Sequence, residues 1–252
     1  MTSAPEAMPR HVLERQLRRS RLLNVILAVV AALGLVFGGV QWAQSGSLGE
    51  AAAAGQTAEG AGDAGAPQQA SLERRVEGDP MAIGDIDAPI VMTEWVDLRC
   101  PYCAVFTRDT LPDVVKEYVD SGKVRIEMQD VAFFGEESLR ASAAARAAAE
   151  QGRYFEFIEA VYEAAPESGH AELTTEELLG HARTAGVPDM ELFEKDMARD
   201  DLRAAASQAT EQASKLGVSG VPFFVVNGQG ISGAQPIDTF REFLDQAVTE
   251  AS

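Results

Sequence analysis

The only two cysteines of this 252-residue chain stand three positions apart, in Cys100-Pro101-Tyr102-Cys103. With no other thiol, the fold cannot rest on a framework of structural disulfides and must be held by an apolar core. The pair itself has three conceivable uses: a redox centre, half of a metal site, or one small staple. A zinc site normally takes four ligands, and His11, His170 and His181, the only histidines, show no ligand spacing. A ring closed over two residues also constrains little of the unfolded chain. These arguments weigh against metal and staple and leave redox chemistry in front.

The flanks of the pair point the same way. Upstream, Pro89 to Val96 is an apolar, β-prone run that opens after a turn-like Gly84-Asp85-Ile86-Asp87-Ala88-Pro89. Downstream, Ala104, Val105, Phe106, Leu111, Val114, Val115 and Tyr118 recur at helical spacing and predict one helix ending at Ser121-Gly122. Cys100 then lies at a helix N-terminus with Pro101 at the first helical position, where a missing N–H costs nothing. Unpaired amides and the helix dipole there favour a thiolate, and such sites lower a cysteine pKa from about 8.5 to about 3.5–7.5. Cys103, one turn in, is expected to be buried, and the Cys100 sulfur exposed. Strand alternation puts Glu94 on one face with Ile90, Met92 and Val96, so its carboxyl is expected in the core, raised in pKa and able to accept a proton from Cys103 during thiol exchange. Escape of that carboxylate to solvent is the alternative. Arg99 is a weaker candidate for favouring the thiolate, and Asp97 is expected to order the loop.

A second motif lies far downstream. Gly220-Val221-Pro222-Phe223-Phe224-Val225-Val226-Asn227-Gly228 reads as a strand entered by proline and closed by a hairpin turn. A cis Val221–Pro222 bond would leave the Val221 backbone free to pair with an extended substrate; an ordinary trans proline at a strand start is the alternative.

Together, Cys100-Pro101-Tyr102-Cys103 after a strand, Gly220-Val221-Pro222 before a late one and the long helical stretch between them resemble the thioredoxin superfamily. The closer resemblance is to DsbA-like thiol-disulfide oxidoreductases of bacterial cell envelopes, over roughly residues 80–250. It implies a cis Pro222 packed beside a reactive Cys100–Cys103 disulfide and a buried acid at Glu94, six residues before the first cysteine. It also implies substrate contacts at Val221, Pro101 and Tyr102, no cofactor, and reoxidation by a quinone-linked thiol oxidase in the membrane.

The rest of the chain says where such a site would work. Residues 22–40 contain a single polar side chain, Asn24, and are long enough to cross a bilayer. Arg10, Arg15, Arg18, Arg19 and Arg21 precede this run, and no Lys or Arg follows until Arg74. The positive-inside rule puts residues 1–21 in the cytoplasm as a basic arm and the remainder outside. A cleavable signal peptide is the alternative, with Ala43-Gln44-Ser45 as a poor cleavage site. Residues 41–75, rich in Gly, Ala, Gln and Ser, read as a flexible linker, and 76–252 as one domain.

The expected architecture is α/β: a thioredoxin-like fold with an inserted helical subdomain at about 135–216, preceded by one transmembrane helix. Within the insertion, Ser138 to Glu150 is alanine-rich, Tyr154 to Tyr162 aromatic-rich, Thr174 and Glu177 form a capping box, Pro188-Asp189 starts a further helix, and Asp200 to Leu216 gives the last. A strand near Gly230–Gly233 and a helix from Pro236 to about Val248 close the chain. Phe133-Phe134 and Tyr154-Phe155 could line a client groove or serve the core. The net charge of −18 and only four lysines argue against nucleic-acid binding. The expected activity is oxidation of thiols in exported proteins by a membrane-tethered enzyme. The alternatives are an isomerase or reductase on the same fold and a non-catalytic envelope thiol chaperone or metallochaperone.

Overall fold

A computed structural model describes residues 72–251. Its centre is the strand Ile90–Val96 (β2), all seven residues of which are buried. An apolar run of this length suits a strand covered on both faces. It pairs in parallel with Val124–Asp130 (β3) and antiparallel with Phe223–Val226 (β4). Ala82–Ile83 (β1) and Gln229–Ser232 (β5) complete a five-stranded sheet in the order β1-β3-β2-β4-β5. The β4–β5 hairpin turns at Asn227 (φ 50°) and Gly228 (φ 76°), the positive-φ pair that a two-residue turn between twisted strands requires. Gly84 (φ 99°) leads from β1 towards β2, and a Cβ there would lie 2.8 Å from the Val124 carbonyl oxygen.

The crossover from β2 to β3 is not the single helix expected from the apolar spacing. Pro101–Asp109 (α1) stops at Thr110, and a short helix Leu111–Val114 (α2) runs into a π-helical turn at Val115–Val119. Pro112 explains the break: it has no N–H for the Arg108 carbonyl, and its ring collides with that oxygen.

Between β3 and β4 lie Glu136–Glu150 (α3), Tyr154–Glu163 (α4), Thr175–Thr184 (α5), Met190–Asp196 (α6) and Asp200–Lys215 (α7). In α3, Ala141, Ala143, Ala144, Ala145, Ala147 and Ala148 are fully buried. Small side chains on nearly every side let α4 and α7 approach it closely. Thr174 and Glu177 cap α5 reciprocally, and the Asp189 side chain caps α6 through the Leu192 amide. Ile237–Glu250 (α8) closes the core by placing Phe240 against Phe106 and Phe224, with ring centroids 5.0 and 4.9 Å away.

The two sheet faces differ in chemistry. Ile90, Met92, Val96, Ile126, Met128 and Phe224 join the main apolar core. The opposite face carries a smaller cluster around Trp95, Val131, Ala213 and Val218, and beside it the buried ion pair Arg125–Glu127 at 2.9 Å. Glu127 also accepts hydrogen bonds from the amides of Arg74 (2.6 Å) and Arg75 (2.9 Å). Burial pushes this carboxyl up, but those amides and the Arg125 guanidinium outweigh burial and hold it below its ordinary value. Residues 72–75, expected as the end of a flexible linker, are thereby fastened to the sheet, and Leu72 packs on the smaller cluster. A buried carboxylate fifty residues downstream is what holds them, so local composition gave no sign of it. The expected transmembrane helix at 22–40 lies outside the described residues; among the described residues no helix is long and apolar enough to cross a membrane.

Candidate active site

Cys100 is the N-cap of α1, in extended backbone conformation, with Pro101 following at the first helical position. The chain reaches it through a tight turn in which the Cys100 amide donates to the Asp97 carbonyl at 2.9 Å. Asp97 itself is fully buried. Its carboxylate accepts from the Arg99 amide (2.9 Å), the Ser138 hydroxyl (2.8 Å) and the Phe133 amide (2.7 Å). It therefore ties the cysteine loop to the start of the helical insertion. Burial raises its pKa, and these hydrogen bonds oppose the rise.

The two thiols sit in unlike surroundings. Cys100 is held down to about 7, first by a hydrogen bond from the Cys103 thiol, against the opposing effect of burial, and further by the Cys103 and Tyr102 amides at the helix start. Cys103 is pushed well above its ordinary value, chiefly by burial and then by the same hydrogen bond, which favours its protonated form. Low and high values in one pair separate the group that leaves as a thiolate from the group that keeps its proton.

One expectation is corrected: Cys100 is not an exposed residue but is only 3% accessible. The loop before β4 covers it, and the Cys100 thiol donates to the Val221 carbonyl at 3.4 Å. The Val221–Pro222 peptide bond is cis. Sheet pairing of β4 begins only at Phe223, so Val221 flanks the sulfur outside the ladder. Tyr102, 65% accessible, projects from the first turn of α1. Phe133 and Phe223 are half-buried and pack with Val221 around the smaller cluster.

Glu94 lies in the interior with zero accessibility. Burial drives its pKa to about 8, and neither carboxyl oxygen has a hydrogen-bond partner among the described residues. Its charge is felt at Cys103, so the two groups share one buried environment. Arg99 does not act on the thiolate. Its guanidinium bonds the Ala171 carbonyl (2.8 Å), the Phe134 carbonyl (2.9 Å) and Glu137 (2.9 Å), turning away toward the insertion. Of the aromatic pairs, Phe134 stacks on His170 with centroids 4.1 Å apart. Tyr154, only 1% accessible, cannot line a groove.

Sequence reasoning gave the buried Asp130 and Tyr162 no role beside the cysteines, and offered the buried Tyr154 only as a groove or core residue. The Tyr162 hydroxyl donates to the Asp97 carbonyl at 3.2 Å. Tyr154 and Tyr162 share α4 at helical spacing, but only packing brings Asp130 of β3 into electrostatic reach of Tyr154. Among the described residues no cluster of three or more His, Cys, Asp or Glu side chains could hold a metal ion. An open cleft of about 770 Å³ between α4 and α5, lined by Glu156, Glu159, Glu163 and His181, involves none of the residues around the cysteines.

Comparison with known proteins bears on the fold and the family. The family described as Thioredoxin matches residues 76–246. A probable disulfide bond formation protein D of Bacillus cereus is 32% identical over 170 residues, covering 66% of this chain and 77% of that protein. The disulfide bond formation protein D of Bacillus subtilis is 25% identical over 174 residues, covering 68% and 78%. Among solved structures, oxidised BdbD from Bacillus subtilis superposes with a TM-score of 0.63 at 23% identity, over 68% of this chain and 94% of that one. The sheet order, the helical insertion and these relatives agree, and the chain belongs to the thioredoxin family as a DsbA-like thiol-disulfide oxidoreductase.

Proposed function

We propose that the enzyme forms disulfides in exported proteins, through a Cys100–Cys103 redox pair tethered to the outer side of the membrane by residues 22–40. The observation that carries this reading is the divergence of the two thiols, Cys100 lowered to about 7 and Cys103 raised. A client thiolate attacks the Cys100 sulfur of the oxidised pair, the Cys100–Cys103 bond breaks, and Cys103 leaves. At neutral pH Glu94 holds a proton, being pushed up to about 8, and passes it to the Cys103 sulfur. A second client thiolate then attacks the client's own sulfur in the mixed disulfide. The client disulfide forms and Cys100 departs as a thiolate, stabilised by Cys103 and the first-turn amides. Val221, on the cis-Pro222 loop, offers backbone to an extended client, with Pro101 and Tyr102 on the other side of the sulfur. The two electrons pass on to a membrane quinone-linked thiol oxidase, as the resemblance to this family implies.

A second reading, reductase or isomerase, is favoured by one observation. A Cys100 pKa of about 7 matches the value of about 7 in thioredoxin more closely than the value of about 3.5 in DsbA. Equilibrating the full chain with glutathione buffers separates the two. The oxidase reading expects a potential well above thioredoxin's, about −270 mV, and net oxidation of a reduced model protein. A potential at or below that value, with reshuffling of scrambled disulfides instead, would establish the second reading.

A further inference from the structure

Behind Cys103 the interior holds polar side chains that no protein group satisfies. Both carboxyl oxygens of Glu94, the Tyr154 hydroxyl and the Ser142 hydroxyl are buried without a hydrogen-bond partner among the described residues. Ser142 and Glu94 have no accessibility at all, and Tyr154 has 1%. Buried polar groups are nearly always paired with protein or ordered water, so a group without a protein partner calls for an explanation such as a bound water or a catalytic role.

These groups are not scattered. The parallel register sets Glu94 beside Met128 and Val96 beside Asp130, so Asp130 projects from the same sheet face as Glu94, two residues further along. Arg146 of α3 grips Asp130 through two nitrogens, at 2.9 and 3.0 Å, and Ser142 lies one turn earlier on that helix. Tyr154 opens α4, which packs against both α1 and α3. The charged groups acting on its hydroxyl are Asp130 from β3, Arg146 from α3, Glu94 from β2 and Arg74 from the N-terminal segment. Tyr162, the neighbouring phenol, faces Cys103, Asp97 and Glu94 but already spends its proton on the Asp97 carbonyl. Of this group, Arg146 reaches the surface, with 17% of its side chain accessible.

We propose that Tyr154 is a positioning residue for proton return to Glu94, its hydroxyl and ordered water held by Ser142 joining the carboxyl to the Asp130–Arg146 pair and so to solvent. The inference rests on the reading of Glu94 as proton donor to Cys103. Once Glu94 has given its proton to the departing Cys103 sulfur, it is a carboxylate out of reach of bulk solvent. An ordered water between them relays the Tyr154 hydroxyl proton to a Glu94 oxygen, since the two groups do not bond directly, and the hydroxyl takes a proton from water on its far side, which is replenished past Arg146. No electrons move in this step. Glu94, Tyr154, Ser142 and Asp130 supply the two to four polar partners that a buried water needs.

The test uses the full chain and two variants, Tyr154→Phe and Glu94→Gln. The infrared carbonyl band of the protonated Glu94 acid, identified by its loss in Glu94→Gln, should lie at a hydrogen-bonded frequency and move to the free-acid position in Tyr154→Phe. Steady-state client oxidation should fall about tenfold in Tyr154→Phe, while the first mixed-disulfide burst stays within about twofold of the parent. In a Glu94→Gln background the same replacement should change turnover less than about twofold. A free-acid band in the unmodified protein overturns the proposal even if Tyr154→Phe does not fold. So does an equal loss of turnover with Gln at position 94, which would make Tyr154 merely structural. If Glu94→Gln alone leaves turnover unchanged, Glu94 is not the donor, and the reading beneath the proposal fails first.

Discussion

At the scale of single residues, the site sets titratable groups against one another where burial, not bulk solvent, fixes their protonation. Glu94 is the clearest case, because burial alone accounts for its rise from 4.5 to about 8. Between those two values the folded protein keeps a proton that the unfolded chain releases. The native state then binds more protons than the unfolded one, so stability falls as pH rises through this interval and is fully retained below it. At pH 7 the acid costs on the order of 3 kcal/mol of stability. Glu94→Gln should therefore stabilise the reduced protein near neutral pH by up to about that amount while slowing client oxidation, the usual trade at a functional site. Urea unfolding at intervals from pH 5 to pH 8 checks this. Parent and variant should diverge as pH rises, and parallel profiles would show that Glu94 is ionised in the fold.

At the scale of elements, β3 carries two kinds of burial on its two faces. Val124, Ile126 and Met128 enter the main core, while Arg125 and Glu127 on the other face are buried as an ion pair. Glu127 holds three donors at once, so replacing it strands Arg125 and two amides together. Glu127→Leu should cost about 3–5 kcal/mol, the range for leaving one partner of a buried pair uncompensated. The carboxyl is held below its ordinary value, so its contribution is present above the unfolded pKa and is lost as pH falls through the folded one. The parent should thus lose part of its margin over Glu127→Leu in acid, read from denaturant midpoints at two pH values.

At the scale of the whole molecule, the N-terminal segment is part of the domain rather than a loose lead into it. Arg74 bonds the Met128 and Met81 carbonyls, and Arg75 bonds those of Ile86 and Ala88, so the domain effectively begins before residue 76. A chain starting at Val76 should be less stable than one starting at Ser71 by roughly 2 kcal/mol, given hydrogen bonds to a charged group. For a domain of this size that lowers Tm by about 4–8 °C, measurable by calorimetry. Equal melting temperatures would show that the fastening adds nothing.

Much of this protein was legible along the chain because its signals are local. Period-two and helical spacing, the Asn227-Gly228 turn and the Thr174–Glu177 capping box depend only on neighbours, and the structure carries elements at each of them. The order Cys-Pro-Tyr-Cys at a strand-to-helix turn likewise placed Cys100 at a cap and Cys103 one turn inside. Other features were decided only by tertiary structure. Cys100 is sheltered because a loop more than a hundred residues away lays the Val221 carbonyl over its sulfur. Arg99 is drawn off by carbonyls of the helical insertion, and α1 ends early because Pro112 cannot complete the turn. Tyr154, Asp130 and Glu94 come within electrostatic reach of one another through sheet register and helix packing. Sequence spacing fixes which residues share a face, but burial and pKa depend on what packs against that face, and only the folded chain determines that.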